Sequence, residues 1–223
     1  MVSVSCAVAQ TGDSGIIHVK STGDFEVTGS GTSPSWEKTG WIALQNTEGP
    51  LTYSTNVKLL YSENGIYVLF HCDDQKISAT MQEDFADLWK EDVVEIFFWT
   101  DEAAPVYFEY ELSPLDKELA ILVPNFHGDF LGWRPWHYEG PRKVRHAVRV
   151  MKENEAITGW TGEFFIPFAL LKPLQNVPAK KGMQWRVNMY RIDYDGDKPS
   201  EWAWRPVGTN FHEYTSFGKM VFE

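Results

Sequence analysis

An antiparallel β-sandwich with little helix is the fold class that this sequence predicts. Three observations point to it. Short runs of alternating apolar and polar residues recur along the chain, Gly- and Pro-containing turns separate them, and long helical periodicity is missing. A length of 223 residues suits one all-β domain, and 43% hydrophobic residues are enough for a full core.

The elements follow in order. Thr55–Tyr61 alternates, Asn64-Gly65 is a hairpin signal, and Ile66–Cys72 returns with Val68, Phe70 and Cys72 on one face. Asp92–Trp99 is apolar almost throughout, which predicts a central strand. In Val106–Ser113, Phe108, Tyr110 and Leu112 share one face, while Tyr107, Glu109, Glu111 and Ser113 share the other. Further strands are expected at 118–123, 144–151, 158–166, 184–193 and 216–222. Helical turns are expected at Asp84–Trp89 and Phe168–Leu171, the latter opened by Pro167. The connection Pro124–Pro141 is long and carries Asn125, Phe126, Trp133, Trp136, His137 and Tyr138. Long loops in compact domains are commonly functional.

Charge and composition narrow the partners. A net charge of -11 repels phosphate backbones and anionic membranes, so nucleic acid is not an expected partner. Neutral sugars and divalent cations remain compatible. No stretch is long and apolar enough to predict a membrane span. Ten Trp exceed what a core of this size needs, and surplus Trp gathers at binding surfaces. Cys6 and Cys72 form no zinc or disulfide pattern. Ala7-Val8-Ala9 has the small-x-small form of a signal-peptidase site. Residues 1–22 are therefore expected to be the tail of a signal peptide plus a flexible lead, residues 23–223 one folded domain, and the protein secreted or periplasmic, of bacterial type.

Four segments carry candidate chemistry. In the first, Trp89 sits on a turn just before a buried strand that holds Glu95. An aromatic ring can cover the C–H face of a pyranose while carboxylates grip its hydroxyls. In the second, Glu109 and Glu111 project to one side about 6.7 Å apart along the strand. They can bind hydroxyls or calcium. As an acid/base pair their spacing overlaps that of inverting glycosidases. The third runs from Trp185 to Asp195. Its Arg191 can donate bidentate bonds to a ligand or pair with Glu109 or Glu111, and Asp193, Asp195 and Asp197 are weak calcium candidates. The fourth holds Trp202, Trp204, Asn210, Phe211 and His212. Trp202 and Trp204 share one side if that segment is extended.

Pro34-Ser35-Trp36, Lys58–Tyr61 with Gly65–Val68, Leu88-Trp89 through Asp92–Phe97, Tyr107–Glu111, Gly162–Pro167 and Phe217-Gly218 occur in an order that resembles the family 9 carbohydrate-binding modules. These fall within the DOMON-like, jelly-roll-type sandwiches, and the resemblance covers nearly all of residues 23–223. It implies non-catalytic binding of a terminal sugar between two aromatic rings, with Trp89 as one ring and Glu95 as a hydroxyl-binding carboxylate. Phe211 falls near the second aromatic position, where a Trp is expected, so Trp133 or Trp136 is a candidate replacement. Glu109 falls near a place where a basic residue can serve. Structural calcium, an oligo- or polysaccharide partner and work beside glycan-degrading enzymes are further implications. Two alternatives stand beside this reading: a glycoside hydrolase using Glu95, Glu109 or Glu111, and a b-type haem domain ligated from among His71, His212 and Met81.

Overall fold

The computed structural model describes residues 15–223. The expected signal-peptide remnant, with Cys6 and Ala7–Ala9, lies outside the described residues. In chain order the strands are β1 (Ile16–Ser21), β2 (Ile42–Ala43), β3 (Gln45–Glu48), β4 (Thr55–Tyr61), β5 (Gly65–Asp73), β6 (Val93–Trp99), β7 (Val106–Leu112), β8 (Glu118–Phe126), β9 (Asp129–Phe130), β10 (Arg134–Pro135), β11 (Arg145–Glu153), β12 (Ala156–Pro167), β13 (Gln184–Asp193), β14 (Ser200–Ala203) and β15 (Gly218–Phe222). The described α-helix is a single turn, α1 (Phe168–Leu171).

Two layers make a β-sandwich. One runs β10-β8-β7-β6-β13-β15, and the other β4-β5-β12-β11. Strand β1 joins them: Ile16–Val19 pair with β15, and Lys20 and Ser21 pair with β4. Part of the lead expected to be flexible is therefore an integral strand. Its pattern explains this, because Ile17 and Val19 alternate into the core between exposed neighbours. Strands β3 and β14 also carried no sequence expectation. They are short, and β3 is wholly polar and exposed, so neither shows an apolar period.

Strand periodicity divides the side chains between faces. From the first layer, Ile96, Phe98, Phe108, Tyr110, Val187 and Met189 point between the layers, where Val68, Phe70, Trp160 and Phe164 meet them. Gly162 makes room for this packing: a Cβ there would stand 3.1 Å from Leu112. Cys72 is buried in this core as a free thiol.

Both layers are also covered on their outer faces. On the second, Trp36 packs with Leu60, Tyr67 and Phe165, and its indole N–H donates to Glu163 at 2.8 Å. The backbone N–H groups of Thr28 and Gly29 donate to the same carboxylate, which pins the N-terminal segment across the sheet. On the first layer, loops carrying Leu88, Phe211, Tyr214 and Phe217 cover Phe97, Tyr107, Ile121 and Tyr190. The site lies under that second cover.

Candidate functional site

Alternation on β6 and β7 places Glu95, Glu109 and Glu111 on the outer face of the first layer. Val93, Phe97 and Trp99 share the face of Glu95, and Tyr107 shares that of the other two. Register brings the carboxylates together across strands: Glu95 is opposite Glu111, and Phe97 is opposite Glu109. On the other flank of β6, Tyr190 is opposite Glu95. The same face extends to β14, where Glu201 is opposite Glu48 of β3.

Loops turn this face into a cleft of about 360 Å³. Trp89, Trp133, Phe130 and Phe211 form its aromatic walls, and Phe97, Ile121 and Ile192 contribute apolar surface. Glu48, Glu201, Thr209, Asn210 and His212 line it as well. Hollows of about 690 and 580 Å³ exist elsewhere on the surface. Their linings hold none of the three buried glutamates, so chemistry rather than volume marks the smaller cleft as the candidate.

Local interactions explain why the walls stand where they do. Trp89 lies on a single 3-10 turn, Leu88–Lys90, anchored by fully buried Leu88. The Tyr194 hydroxyl donates to the Trp89 carbonyl at 2.8 Å. Asp92 accepts from the backbone N–H groups of Ser78 and Tyr194, tying the turn to the loops on both sides. Trp133 meets Trp89 edge to face at 5.6 Å between centroids. Phe211 lies flat on Tyr190 at 4.0 Å, and Phe130 lies flat on His212 at 4.1 Å. Asn210 caps the same loop, its side-chain oxygen accepting from the His212 N–H.

The electrostatics are unusual. Glu95, Glu109 and Glu111 are only 2%, 3% and 1% exposed. Burial pushes all three carboxyls well above the usual carboxylate range. Neighbouring charge adds to this: Glu111 and Glu201 act on Glu95, Glu95 acts on Glu109, and Glu109 acts on Glu111, while the close approach of the Glu109 and Glu111 carboxyls favours a shared proton that lowers Glu109 and raises Glu111. Burial also lowers His212 to about 4, so its imidazole is neutral near pH 7 and its approach to Glu109 Oε2 at 3.6 Å is not an ion pair. The Tyr107 hydroxyl lies 2.7 Å from His212 Nδ1. Oε2 of Glu109 and Oε2 of Glu111 are buried without a hydrogen-bond partner.

Of the residues singled out by sequence, Trp89, Glu95, Glu109, Glu111, Trp133, Asn210 and Phe211 come together in this cleft. Three do not. Trp136 lies three residues beyond Trp133 on an extended segment, so the two rings face opposite sides. Trp136 packs on the interior core, and its indole donates to the Leu170 carbonyl. Trp204 also belongs to the interior, pressed against Gly218, where its ring atoms stand 2.3 Å from the place of a Cβ. Arg191 follows Tyr190 on β13 and so points the other way. It cannot pair with Glu109 or Glu111 and instead bonds Asp74 and Asp193 inside the sandwich. His71 sits on the second layer against Trp41, away from His212, so these two histidines make no axial pair. Phe130, Glu48, Glu201 and Thr209 were not anticipated.

Asp74, Asp193 and Asp195 form a second acidic group, with one carboxylate oxygen from each lying within 4.8 Å of the others. Asp197 is not part of it. Burial raises Asp74 to about 7 and neighbouring Asp92 to about 6. Arg191 supplies one positive charge against these four carboxyls. An all-oxygen donor set with negative charge in excess fits a hard divalent cation.

An "Extracellular protein" of Arthroderma benhamiae is 28% identical over 177 residues, covering 75% of this chain and 78% of its own. A Bacteroides uniformis protein described as a candidate carbohydrate binder superposes with a TM-score of 0.78 at 15% identity, covering 93% of this chain and 99% of its own. A family 9 carbohydrate-binding module of Caldicellulosiruptor kristjanssonii in complex with glucose superposes with a TM-score of 0.69 at 14% identity, covering 93% and 95%. The same source in complex with cellotriose gives 0.67 at 15% identity, covering 93% of each chain. A profile described as "Carbohydrate family 9 binding domain-like" matches residues 27–223, and the chain belongs to that family.

Proposed function

We propose that this protein binds carbohydrate without transforming it, holding a terminal sugar against Trp89 and Trp133 above Glu95, Glu109 and Glu111. The observation that carries this reading is one cleft combining half-buried aromatic rings with buried carboxyls, of which Glu109 and Glu111 each keep one oxygen unpartnered. A protonated carboxyl both donates and accepts, as a sugar hydroxyl does. The small volume favours the end of a chain over a run of units. A structural comparison with glucose and cellotriose complexes supports the ligand class.

Hydrolysis fits less well. It needs one ionised carboxylate beside one protonated acid. Here burial pushes all three cleft glutamates toward the protonated form, and the hydrogen bond between Glu109 and Glu111 opposes this at Glu109 only in part. Export is supported by the extracellular relative and by Ala7-Val8-Ala9. The described residues contain no helix long and apolar enough to cross a membrane. Asp74, Asp193 and Asp195 would hold a structural calcium ion, and an exported chain of this kind would work beside glycan-degrading enzymes.

Calorimetric titration with mono- and oligosaccharides, with product analysis of the same mixtures, tests the reading. Affinity independent of chain length, with no cleavage products, is expected. Silence toward every sugar, or release of shorter glycans, would overturn it.

A further inference from the structure

The cleft has a charge pattern that a neutral sugar does not complete. Five carboxyl groups line it, from Glu48, Glu95, Glu109, Glu111 and Glu201, and its lining contains neither Lys nor Arg. Lys90, outside the lining, sits 5.5 Å over the Trp89 ring and pairs with Asp87 on the same turn. His212 is the remaining basic group, and burial keeps it neutral near pH 7. Tyr107 and Tyr190 face the carboxyls from the sheet, and Glu213 follows His212 in the covering loop.

Two features separate a bound organic cation from a bare metal ion. First, the oxygens of the three glutamates do not converge as a metal requires. Among the described residues that arrangement occurs at Asp74, Asp193 and Asp195 and not in the cleft. Second, Trp89 and Trp133 offer ring surface, which attracts both the C–H face of a sugar and an ammonium group. A pyranose bearing an ammonium is long enough to touch the aromatic wall and the buried carboxyls at once.

We propose that the cleft takes an amino sugar with a free, protonated amine, its ring against Trp89 and Trp133 and its ammonium donating to the carboxyl groups of Glu109 and Glu111. This rests on the carbohydrate reading above and narrows it to a ligand class. Buried neighbouring carboxyls cannot all be ionised in the free protein. The arriving ammonium stabilises the ionised form, so one proton leaves the cluster for solvent as the sugar binds. A neutral sugar makes no such demand.

The test is calorimetric titration with D-glucosamine, D-glucose, N-acetyl-D-glucosamine and calcium chloride, each alone. It is run at about pH 6, below the range where amines of this kind lose their proton, in buffers of different ionisation enthalpy. Glucosamine should bind at least tenfold more tightly than the two neutral sugars and release about one proton. Glu109→Gln and Glu111→Gln, nearly isosteric with the protonated acid, should each cut that advantage about tenfold. If one variant fails to fold, the other and the wild-type ratio still decide. Glucose binding as tightly as glucosamine would overturn this inference and leave the carbohydrate reading standing. Silence toward all three sugars would overturn this inference, and the carbohydrate reading falls with it only if the wider set of mono- and oligosaccharides is silent too. Calcium binding that disappears in Glu109→Gln would also overturn it, by making the cleft a metal site.

Discussion

Two acidic groups lie on opposite faces of the same sheet, and they are built differently. Between the layers, Asp74 and Asp193 surround Arg191, whose guanidinium also donates to the Asp73 carbonyl at 2.8 Å and stacks on Trp202 at 5.0 Å. On the outer face, Glu95, Glu109 and Glu111 are as deeply buried but have no cationic side chain among them. The interior group has part of its counter-charge built in, as Arg191, and reads as structure. The outer group leaves oxygens unpartnered beside open ring faces and reads as a place for a ligand.

The sharpest way to break the comparison is to remove the interior cation. Arg191→Met should destabilise the protein by about 3–5 kcal/mol, because it leaves buried acids without their partner. Urea unfolding measures this, and a loss below about 1 kcal/mol would mean the interior group does not depend on its arginine.

A third network supplies a calibration. His146 lies 2.8 Å from Asp116 and 3.5 Å from Glu118. Burial opposes its charge, but these two acids win and raise it to about 9. Burial raises Glu118 as well, yet His146 and the Tyr110 hydroxyl bring it below its ordinary value, the reverse of the cleft glutamates. A histidine raised on folding stabilises fully below its unfolded pKa near 6.5, and that contribution fades as pH rises through 9. Stability should fall by about 3 kcal/mol between those limits, and His146→Gln should flatten the profile. An unchanged slope in the variant would remove His146 as the cause.

Calcium sharpens the contrast by about the same amount. At 100 times its dissociation constant it should stabilise the folded protein by about 2.7 kcal/mol. Asp195→Asn should weaken that response, whereas Glu111→Gln should not. Equal weakening by both would erase the distinction between the two groups.

The smallest effect belongs to the cleft. A glutamate raised on folding costs stability as pH climbs above its unfolded value near 4.5. Glu109→Gln at pH 8 should therefore leave stability unchanged or raise it by about 1 kcal/mol. Destabilisation beyond that would mean Glu109 is held by partners rather than left open.

These contrasts also show what was legible in the sequence. Alternation placed Glu109 and Glu111 on one face, and the segment from Trp89 to Phe97 located the first wall and Glu95. The face taken by Arg191 was not legible, because it depends on Tyr190 being opposite Glu95, a register between strands nearly a hundred residues apart. The three-residue spacing of Trp133 and Trp136 held a usable signal, since extended chain sends such a pair to opposite sides. Phe130 and His212 stack on each other from separate loops, and loops carry no period from which to read that contact.

The most direct test of the central claim compares wild type with Trp89→Ala in the same sugar titration. Trp89 is half-buried over a cleft whose sheet is held by other residues, so the variant should keep its fold by circular dichroism and thermal melting. Truncating a central aromatic anchor is worth about 2 kcal/mol or more, so affinity should fall at least ~30-fold. A folded Trp89→Ala protein that binds sugar as well as wild type would contradict the account.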